Sequence, residues 1–342
     1  MRGRSWLNLF ALAAAAAGLT LIAVTNAPGE ASIQLLNVSY DPTRELYQKI
    51  NALFLETYEK ETGRRLTIVQ SHGGSSSQAR RILSGELKAD VVTLGLYLDV
   101  DSLRKRGLVA DKWAERLPNH SSPYTSTIVF VVRRGNPRKI KDWPDLVQPG
   151  LEVVTPDPRT SGNGKLTALA AWAAVVTRGG SEDDAKGFLQ ELYLHAPSLA
   201  EGARGAAIAF ADQEQGDVHL TWENEAIREI AQSKGRLAVV YPPVSIRAEP
   251  AVAWLDKPGA RKGDLAPAKA YLEFLYSDAA QQEIAKLGYR PLNPDIALRA
   301  GVKFPQIELV AITEIARDWD DASEKFFAEN GVIDNVIGTR KP

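Results

Sequence analysis

Short apolar runs rich in β-branched residues alternate with longer amphipathic stretches along the first third of the chain. The runs at 33–38, 66–69 and 90–94 predict strands, and the stretches between them predict helices over 41–61 and 73–87. Asp41 and Pro42 stand where a helix commonly starts, and Gly63 stands where one commonly stops. Strands that alternate with helices indicate parallel α/β units.

The same alternation continues to about residue 287. Further strands are predicted at 127–132, 152–154, 218–221 and 251–255, and further helices at 162–177, 182–194, 205–215, 224–232, 267–276 and 279–287.

We interpret this order as an α/β fold of two lobes. The first lobe would combine residues 32–125 with 256–342, and the second would span 133–247. Residues 126–132 and 248–255 would be the crossings between the lobes. Two consecutive independent domains are the alternative, because periodicity alone does not show that a chain returns to its first lobe.

Composition narrows the functional classes. The 342 residues suggest about two domains. The net charge is −1 and the sequence has no block of basic residues, so nothing in it indicates a positively charged surface for nucleic acid. The chain has no cysteine, which excludes disulfides, thiol catalysis and cysteine metal sites.

The N-terminal segment predicts export. Arg2 and Arg4 precede a largely apolar run over 6–24, and small residues follow it, which is typical of a secretory signal peptide over residues 1–31. Cleavage after Ala31 fits best, and a membrane anchor is the alternative, because the run is nearly long enough to span a bilayer. Without a cysteine for lipidation, we expect a mature protein free in the periplasm.

Small polar turns precede several predicted helices. Residues 71–77 (SHGGSSS) and 160–164 (TSGNG) combine glycines with serines, and residues 202–206 are a weaker example. A helix start exposes backbone N–H groups and a partial positive charge, so several starts facing one cleft would bind an anion without any formal positive charge. Each turn alone also fits an ordinary capped loop. The indole N–H of Trp222, which follows the strand at 218–221, is a further candidate donor, although such a Trp is commonly just packed.

With these turns in place, nearly the whole mature chain resembles the bacterial periplasmic sulfate-binding protein family, which has the type II solute-binding fold. The resemblance rests on an ordered series of segments: 35–45 (LLNVSYDPTRE), 70–75 (QSHGGS), 89–94 (ADVVTL), 123–130 (PYTSTIVF), 134–137 (RGNP), 202–205 (GARG), 222–226 (WENEA) and 289–291 (YRP). Each segment alone is a weak signal, but the combination is highly specific.

The resemblance implies a two-lobed solute-binding protein with a ligand cleft between the lobes. It would capture dehydrated sulfate, and thiosulfate as a second ligand, for an ABC-type importer in the inner membrane. Hydrogen-bond donors alone would hold the anion. The implied donors are the backbone N–H groups of Asp41, Ser75, Gly162, Asn163 and Ala203, the hydroxyl of Ser161 and the indole of Trp222.

The chain departs from the family pattern at Asn163, where the family commonly has a second glycine. A backbone donor survives this change if asparagine accepts the same backbone angles, but its side chain would narrow the site or alter the choice of anion. Arg204, beside Ala203, is expected to brace a loop rather than touch the anion.

Two rival functions are compatible with parts of the sequence. Phosphate, molybdate or tungstate would use the same fold, but protonated phosphate needs an acceptor, for which the Asp41 carboxylate is the candidate. An enzyme would need a base near Ser71, Ser75, Ser76, Ser77 or Ser161, and of the four histidines only His72 lies in a candidate turn. Neither a zinc spacing nor a hydrolase serine elbow is present. We therefore expect a monomeric binding protein that is not an enzyme and uses no cofactor, metal or nucleic acid.

Overall fold

A computed structural model describes residues 33–256 and 265–338. The predicted signal peptide, residues 1–31, lies outside the described residues. The strands are β1 Ile33–Tyr40, β2 Leu66–Gly73, β3 Val91–Leu94, β4 Tyr124–Thr125, β5 Ile128–Arg133, β6 Val153–Pro156, β7 Leu199–Ala200, β8 Val218–Trp222, β9 Leu237–Val240, β10 Val244–Ile246, β11 Ala251–Trp254, β12 Arg290–Pro291 and β13 Glu308–Val310.

The helices are α1 Arg44–Thr62, α2 Ser75–Leu83, α3 Tyr97–Lys105, α4 Gly162–Val176, α5 Glu182–Leu194, α6 Ala203–Ala207, α7 Glu223–Gln232, α8 Ala266–Phe274, α9 Asp278–Lys286, α10 Pro294–Arg299, α11 Trp319–Ala322 and α12 Val332–Gly338. None of these described helices is long and apolar enough to cross a bilayer. Among the described residues, 33–34 and 55–67 belong to a small compact unit, and 35–54, 68–256 and 265–338 belong to a larger one.

A four-stranded sheet has the order β11–β3–β1–β2. Strand β3 pairs with β1 in parallel and with β11 in antiparallel orientation. The late strand β11 is therefore a member of the sheet that the first strands of the chain build. All four residues of β3 and of β11 are buried, as expected for strands covered on both faces.

A five-stranded sheet has the order β7–β6–β8–β5–β9. Strand β5 is antiparallel to both of its neighbours, β8 and β9, whereas β6 is parallel to β8. The alternation of strands and helices indicated parallel units. Strands β1 with β3 and β6 with β8 do pair in parallel, but β11 with β3 and β5 with both of its neighbours are antiparallel. Periodicity reports which strands are buried but not their direction, which depends on how the connections return.

Two connecting segments of the chain, one before β5 and one before β11, pair with each other. Ser126 and Ala248 form an isolated antiparallel bridge, in which each backbone N–H donates to the other residue's carbonyl at 3.0 and 2.9 Å. Strand β5 follows the bridge at Ser126 and strand β11 follows it at Ala248. The lobe boundaries predicted from the sequence stay a prediction.

The C-terminal tail packs on the layer of the five-stranded sheet. Strand β13 pairs in parallel with β10, and the Phe326 ring meets the Trp172 ring edge-on at 5.0 Å. Phe326, Ile333 and Val336 are buried in the same core cluster as Leu169 and Leu220. The assignment of these residues to the first lobe stays a prediction.

Several element boundaries differ from the sequence prediction. Helix α2 ends at Leu83 rather than near 87, because Gly85 adopts a left-handed φ of +80° directly after the C-cap. The helix predicted over 205–215 consists of α6 followed by a π-helical turn at Ile208–Asp212. Helix α3 and strand β9 were not predicted.

Candidate anion-binding site

Three of the polar turns converge in the structure. A β-carbon added at Gly74 would lie 2.7 Å from the Thr160 carbonyl oxygen and 3.2 Å from the Glu201 carbonyl oxygen. The Thr160 hydroxyl also donates to the Glu201 carbonyl at 2.7 Å. The turns before α2, α4 and α6 are therefore in direct contact, and the close approach at Gly74 requires a residue without a side chain.

The turn that begins at Asp41 also contacts this group of turns. A β-carbon added at Gly202 would lie 2.6 Å from the Asp41 Oδ2 atom, and one added at Gly162 would lie 3.3 Å from the Ser75 β-carbon. The structure thus brings together four turns that are far apart in sequence.

Four of the expected backbone donors occupy the first position of a helical turn. Asp41 opens the 3₁₀ turn Asp41–Thr43, Ser75 opens α2, Gly162 opens α4 and Ala203 opens α6. An N–H group at this position has no acceptor within its own helix. Several such groups gathered in one place provide donors and a positive potential suited to an anion.

The Asp41 carboxylate is already engaged. Its Oδ1 atom accepts from the Arg44 guanidinium at 2.8 Å, and its Oδ2 atom lies beside Gly202. Asp41 is 8% exposed. These contacts leave the backbone N–H as the group that fits an anion.

The Ser75 hydroxyl is also engaged. It donates to the Asp99 carboxylate at 2.5 Å and accepts from the Gly95 N–H at 2.9 Å. The Ser76 hydroxyl donates to the other Asp99 oxygen at 2.8 Å and accepts from the Lys165 ammonium at 2.7 Å. A buried network therefore fixes the start of α2.

Ser161 is the N-cap of α4, and its hydroxyl oxygen accepts from the Gly164 N–H at 3.5 Å. The Ser161 oxygen thus already accepts one hydrogen bond, while its hydroxyl hydrogen can be donated to another acceptor. Asn163 sits in the first turn of α4 with its side-chain Nδ2 donating to the Leu220 carbonyl at 3.0 Å. The backbone at Asn163 is helical, so asparagine accepts the conformation that the sequence analysis left open.

Trp222 ends β8 and caps α7, and its side chain is fully buried. Its ring lies 5.4 Å from the ring of Tyr40, the residue before Asp41. The indole Nε1 has no acceptor among the residues that the structure describes. A buried N–H donor without an acceptor costs free energy, so this group is suited to meet a ligand oxygen.

Charged side chains near the turns are paired with one another. Arg204 donates to Glu45 at 3.0 and 3.2 Å, which agrees with the expectation that it braces a loop. Burial alone would raise the pKa of Glu45, but the hydrogen bonds and charge of Arg204 outweigh it and lower the pKa. Burial raises the pKa of Glu225, and the neighbouring Arg228 offsets this only in part.

His72 lies near the end of β2, shortly before α2. Burial, followed by the charge of Arg44, lowers the pKa of its imidazole to about 4. The imidazole is therefore neutral near pH 7.

Sequence reasoning missed the supporting residues of the site. Asp99 lies on α3, a helix that was not predicted, and nothing in its local sequence indicates a partner near Ser75. Lys165, on α4, was likewise not predicted as a residue of the site. Spacing within one segment carries no information about contacts that join segments 24 or 89 residues apart.

Comparison with known proteins defines the class. The sequence profile of the bacterial extracellular solute-binding proteins matches residues 36–290. The chain belongs to this family. It is 44% identical to a thiosulfate-binding protein of Pseudomonas aeruginosa over 96% of this chain and 98% of the relative, and 42% identical to a sulfate-binding protein of Salmonella typhimurium over 93% and 97%.

The fold agrees with a solved relative. The sulfate-binding protein SubI from Mycobacterium tuberculosis H37Rv superposes with a TM-score of 0.77 at 30% identity, covering 86% of this chain and all of that chain. The two-lobed α/β fold of periplasmic binding proteins and the family resemblance, both predicted from the sequence, are confirmed.

Proposed function

We propose that this protein captures sulfate, or the related thiosulfate, and delivers it to an ABC-type importer. The names of the relatives support this ligand class, since sulfate- and thiosulfate-binding proteins match the chain at nearly equal identity. The observation that supports it best is the buried indole N–H of Trp222, which has no described acceptor and stands beside the turn that begins at Asp41.

The proposed site holds the anion with donors only. The backbone N–H groups of Asp41, Ser75, Gly162, Asn163 and Ala203, the Ser161 hydroxyl and the Trp222 indole would point at the sulfate oxygens. Each hydrogen bond to a charged group contributes about 1.5–3 kcal/mol, and a micromolar dissociation constant requires about 8 kcal/mol. The set therefore suffices after lobe closure and anion desolvation are subtracted.

Phosphate is a poorer fit to this site. Phosphate near neutral pH carries a proton that needs an acceptor. The Asp41 carboxylate, the acceptor that the sequence analysis considered, is engaged by Arg44 and lies beside Gly202. A fully ionised oxyanion needs no acceptor and matches a site built from donors.

The protein would act as a hinged trap in the periplasm. The proposed lobes are 32–125 with 256–342 and 133–247, the first after removal of the signal peptide 1–31. Sulfate would bridge the helix starts of both lobes and favour the closed form by as much as its affinity differs between the open and closed states. We propose a monomer that is recognised in its closed form by the importer permease, without enzymatic activity and without nucleic acid as a partner.

Calorimetric titration of the exported protein, dialysed free of anions, tests the proposal. Sulfate, thiosulfate, phosphate and molybdate are compared in the same buffer. One-to-one binding of sulfate or thiosulfate in the micromolar range or tighter, with phosphate silent, is the expected result. Tight binding of phosphate or molybdate with weak binding of sulfate and thiosulfate would contradict it.

A further inference from the structure

The Tyr289–Arg290–Pro291 segment contributes no donor to the proposed site, yet it contacts the surroundings of two of the donors. Strand β12 pairs in antiparallel orientation with β4, where Arg290 stands opposite Thr125 and Pro291 stands opposite Tyr124. Thr125 directly precedes the Ser126–Ala248 bridge. The segment is therefore anchored where the chain passes between the two sheets.

Tyr289 contacts the first donor turn. Its hydroxyl donates to the Pro42 carbonyl at 2.7 Å, and Pro42 directly follows Asp41. The Tyr289 ring packs 4.8 Å from the ring of Tyr124, and only 1% of Tyr289 is exposed. A rigid, buried side chain thus holds the 3₁₀ turn that presents the Asp41 N–H.

Arg290 contacts the last donor turn. Its guanidinium donates to both oxygens of Glu223, at 2.6 and 2.9 Å, and also to the Pro305 carbonyl at 3.0 Å. Glu223 directly follows Trp222, is 0% exposed and donates its own N–H to the Thr127 carbonyl at 2.9 Å. Glu223 is therefore held both at its carboxylate and at its backbone, directly after Trp222 in the chain.

We propose that Tyr289 and Arg290 form a brace that sets the position of the Asp41 turn relative to the Trp222 turn, so that both act as positioning residues for the bound anion. This inference rests on the proposed function of the site. Tyr289, directly before β12, and Arg290, the first residue of β12, reach donor turns that follow strands of different sheets, β1 and β8. The two turns can therefore shift relative to each other only if one of these buried contacts breaks.

The geometry of the Arg290–Glu223 pair explains why arginine is needed. A guanidinium fork holds both carboxylate oxygens at once, whereas the single ammonium of lysine keeps the charge but loses the bidentate geometry. A buried ion pair by itself contributes little net stability compared with a packed apolar pair, so fixing a geometry is the more specific role for it.

The test uses two conservative substitutions with matched controls in the exported full-length protein. Arg290→Lys removes the fork, and Tyr289→Phe removes the hydroxyl. The controls are Arg299→Lys, at an exposed ion pair with Asp278, and Tyr276→Phe, whose buried hydroxyl has no partner in the described part of the chain. Calorimetry gives the sulfate and thiosulfate affinities, and the stoichiometry gives the folded fraction.

Arg290→Lys and Tyr289→Phe are each expected to weaken binding by about tenfold, equivalent to about 1.4 kcal/mol, at unchanged one-to-one stoichiometry. Both controls should stay within about twofold, equivalent to about 0.4 kcal/mol. In the sulfate-bound protein, the ¹H–¹⁵N resonance of the Trp222 indole should shift in Arg290→Lys and stay in place in the controls. A role in general stability alone would not move that resonance.

Wild-type affinity and an unmoved indole resonance in both brace variants would overturn the brace while leaving the proposed function intact. If Arg290→Lys does not fold, Tyr289→Phe decides alone by the same criteria. A wild-type protein that binds neither sulfate nor thiosulfate would overturn the proposed function and the brace together.

Discussion

The hydroxyl of Ser75 donates a 2.5 Å hydrogen bond to the carboxylate of Asp99 and is therefore not free for a ligand. Ser161 differs in this respect, because its oxygen accepts from the Gly164 N–H and its hydroxyl hydrogen has no acceptor among the residues described. Two serines at helix starts, Ser75 at the first position of α2 and Ser161 at the N-cap of α4, thus have different roles. Ser75 supports the site through its side chain, and Ser161 is the proposed donor.

Substitution of each serine by alanine should separate these roles. Ser161→Ala should weaken sulfate binding by about 1–3 kcal/mol, because a donor to a charged acceptor is lost. Ser75→Ala should leave the affinity nearly unchanged but lower the free energy of unfolding by about 1–3 kcal/mol, because one oxygen of the buried Asp99 loses its donor. Titration calorimetry and urea unfolding measure the two effects. Equal losses of affinity in both variants would contradict the assignment.

Trp222→Phe should weaken sulfate binding by about 1–3 kcal/mol, because the indole donor is removed while most of the buried ring is kept. Trp143→Phe is the matched control. Its indole donates to the Val244 carbonyl at 2.8 Å, away from the converging turns, so its loss should lower stability by about 1–3 kcal/mol and leave the affinity unchanged. Calorimetry measures the sulfate affinity of both variants. A Trp222→Phe protein with wild-type affinity would exclude the indole as a donor.

Asn163→Asp should weaken sulfate binding by more than about tenfold, because a negative charge is placed beside the bound anion and a carboxylate oxygen faces the Leu220 carbonyl. Asn163→Ala keeps the backbone N–H and should stay within about threefold of the wild type. Titrations of both variants at low ionic strength measure the difference. Equal affinities would show that the side chain at this position lies too far from the anion to interact with it.

His72 should make the protein less stable in mild acid. Its pKa is lowered from 6.5 to about 4 in the folded protein, first by burial and then by Arg44. Above pH 6.5 the imidazole is neutral in both states, and its contribution to stability is fully present. As the pH falls from 6.5 toward 4, the unfolded chain takes up a proton that the folded protein excludes, so this contribution is lost.

Urea unfolding at about pH 7.5 and about pH 4.5 measures this effect. The loss of stability on acidification should be smaller in His72→Gln than in the wild type, by on the order of 1–3 kcal/mol. Identical losses in the two proteins would show that His72 is accessible to protons in the folded state.

Local pattern determined most of the element types. The apolar run around Phe130 and the TSGNG turn before α4 both fold as predicted, because burial and helix capping depend on a few neighbouring residues. The end of α2 was misplaced because the left-handed conformation of Gly85 competes with an amphipathic pattern that continues past it. Periodicity did not predict that β5 is antiparallel to β8.

The sequence by itself determined the family and the helix starts that form the candidate site. Only the tertiary structure decided three contacts. Gly74 approaches the Thr160 carbonyl, the Asn163 side-chain amide donates to the Leu220 carbonyl, and the Arg290 guanidinium donates to the Glu223 carboxylate. A residue's chemical type and its near neighbours fix what it can donate or accept. The partner it meets lies on a distant segment of the chain, 57 residues away for Asn163 and Leu220 and 67 for Arg290 and Glu223, and the close packing of the whole core brings the two together.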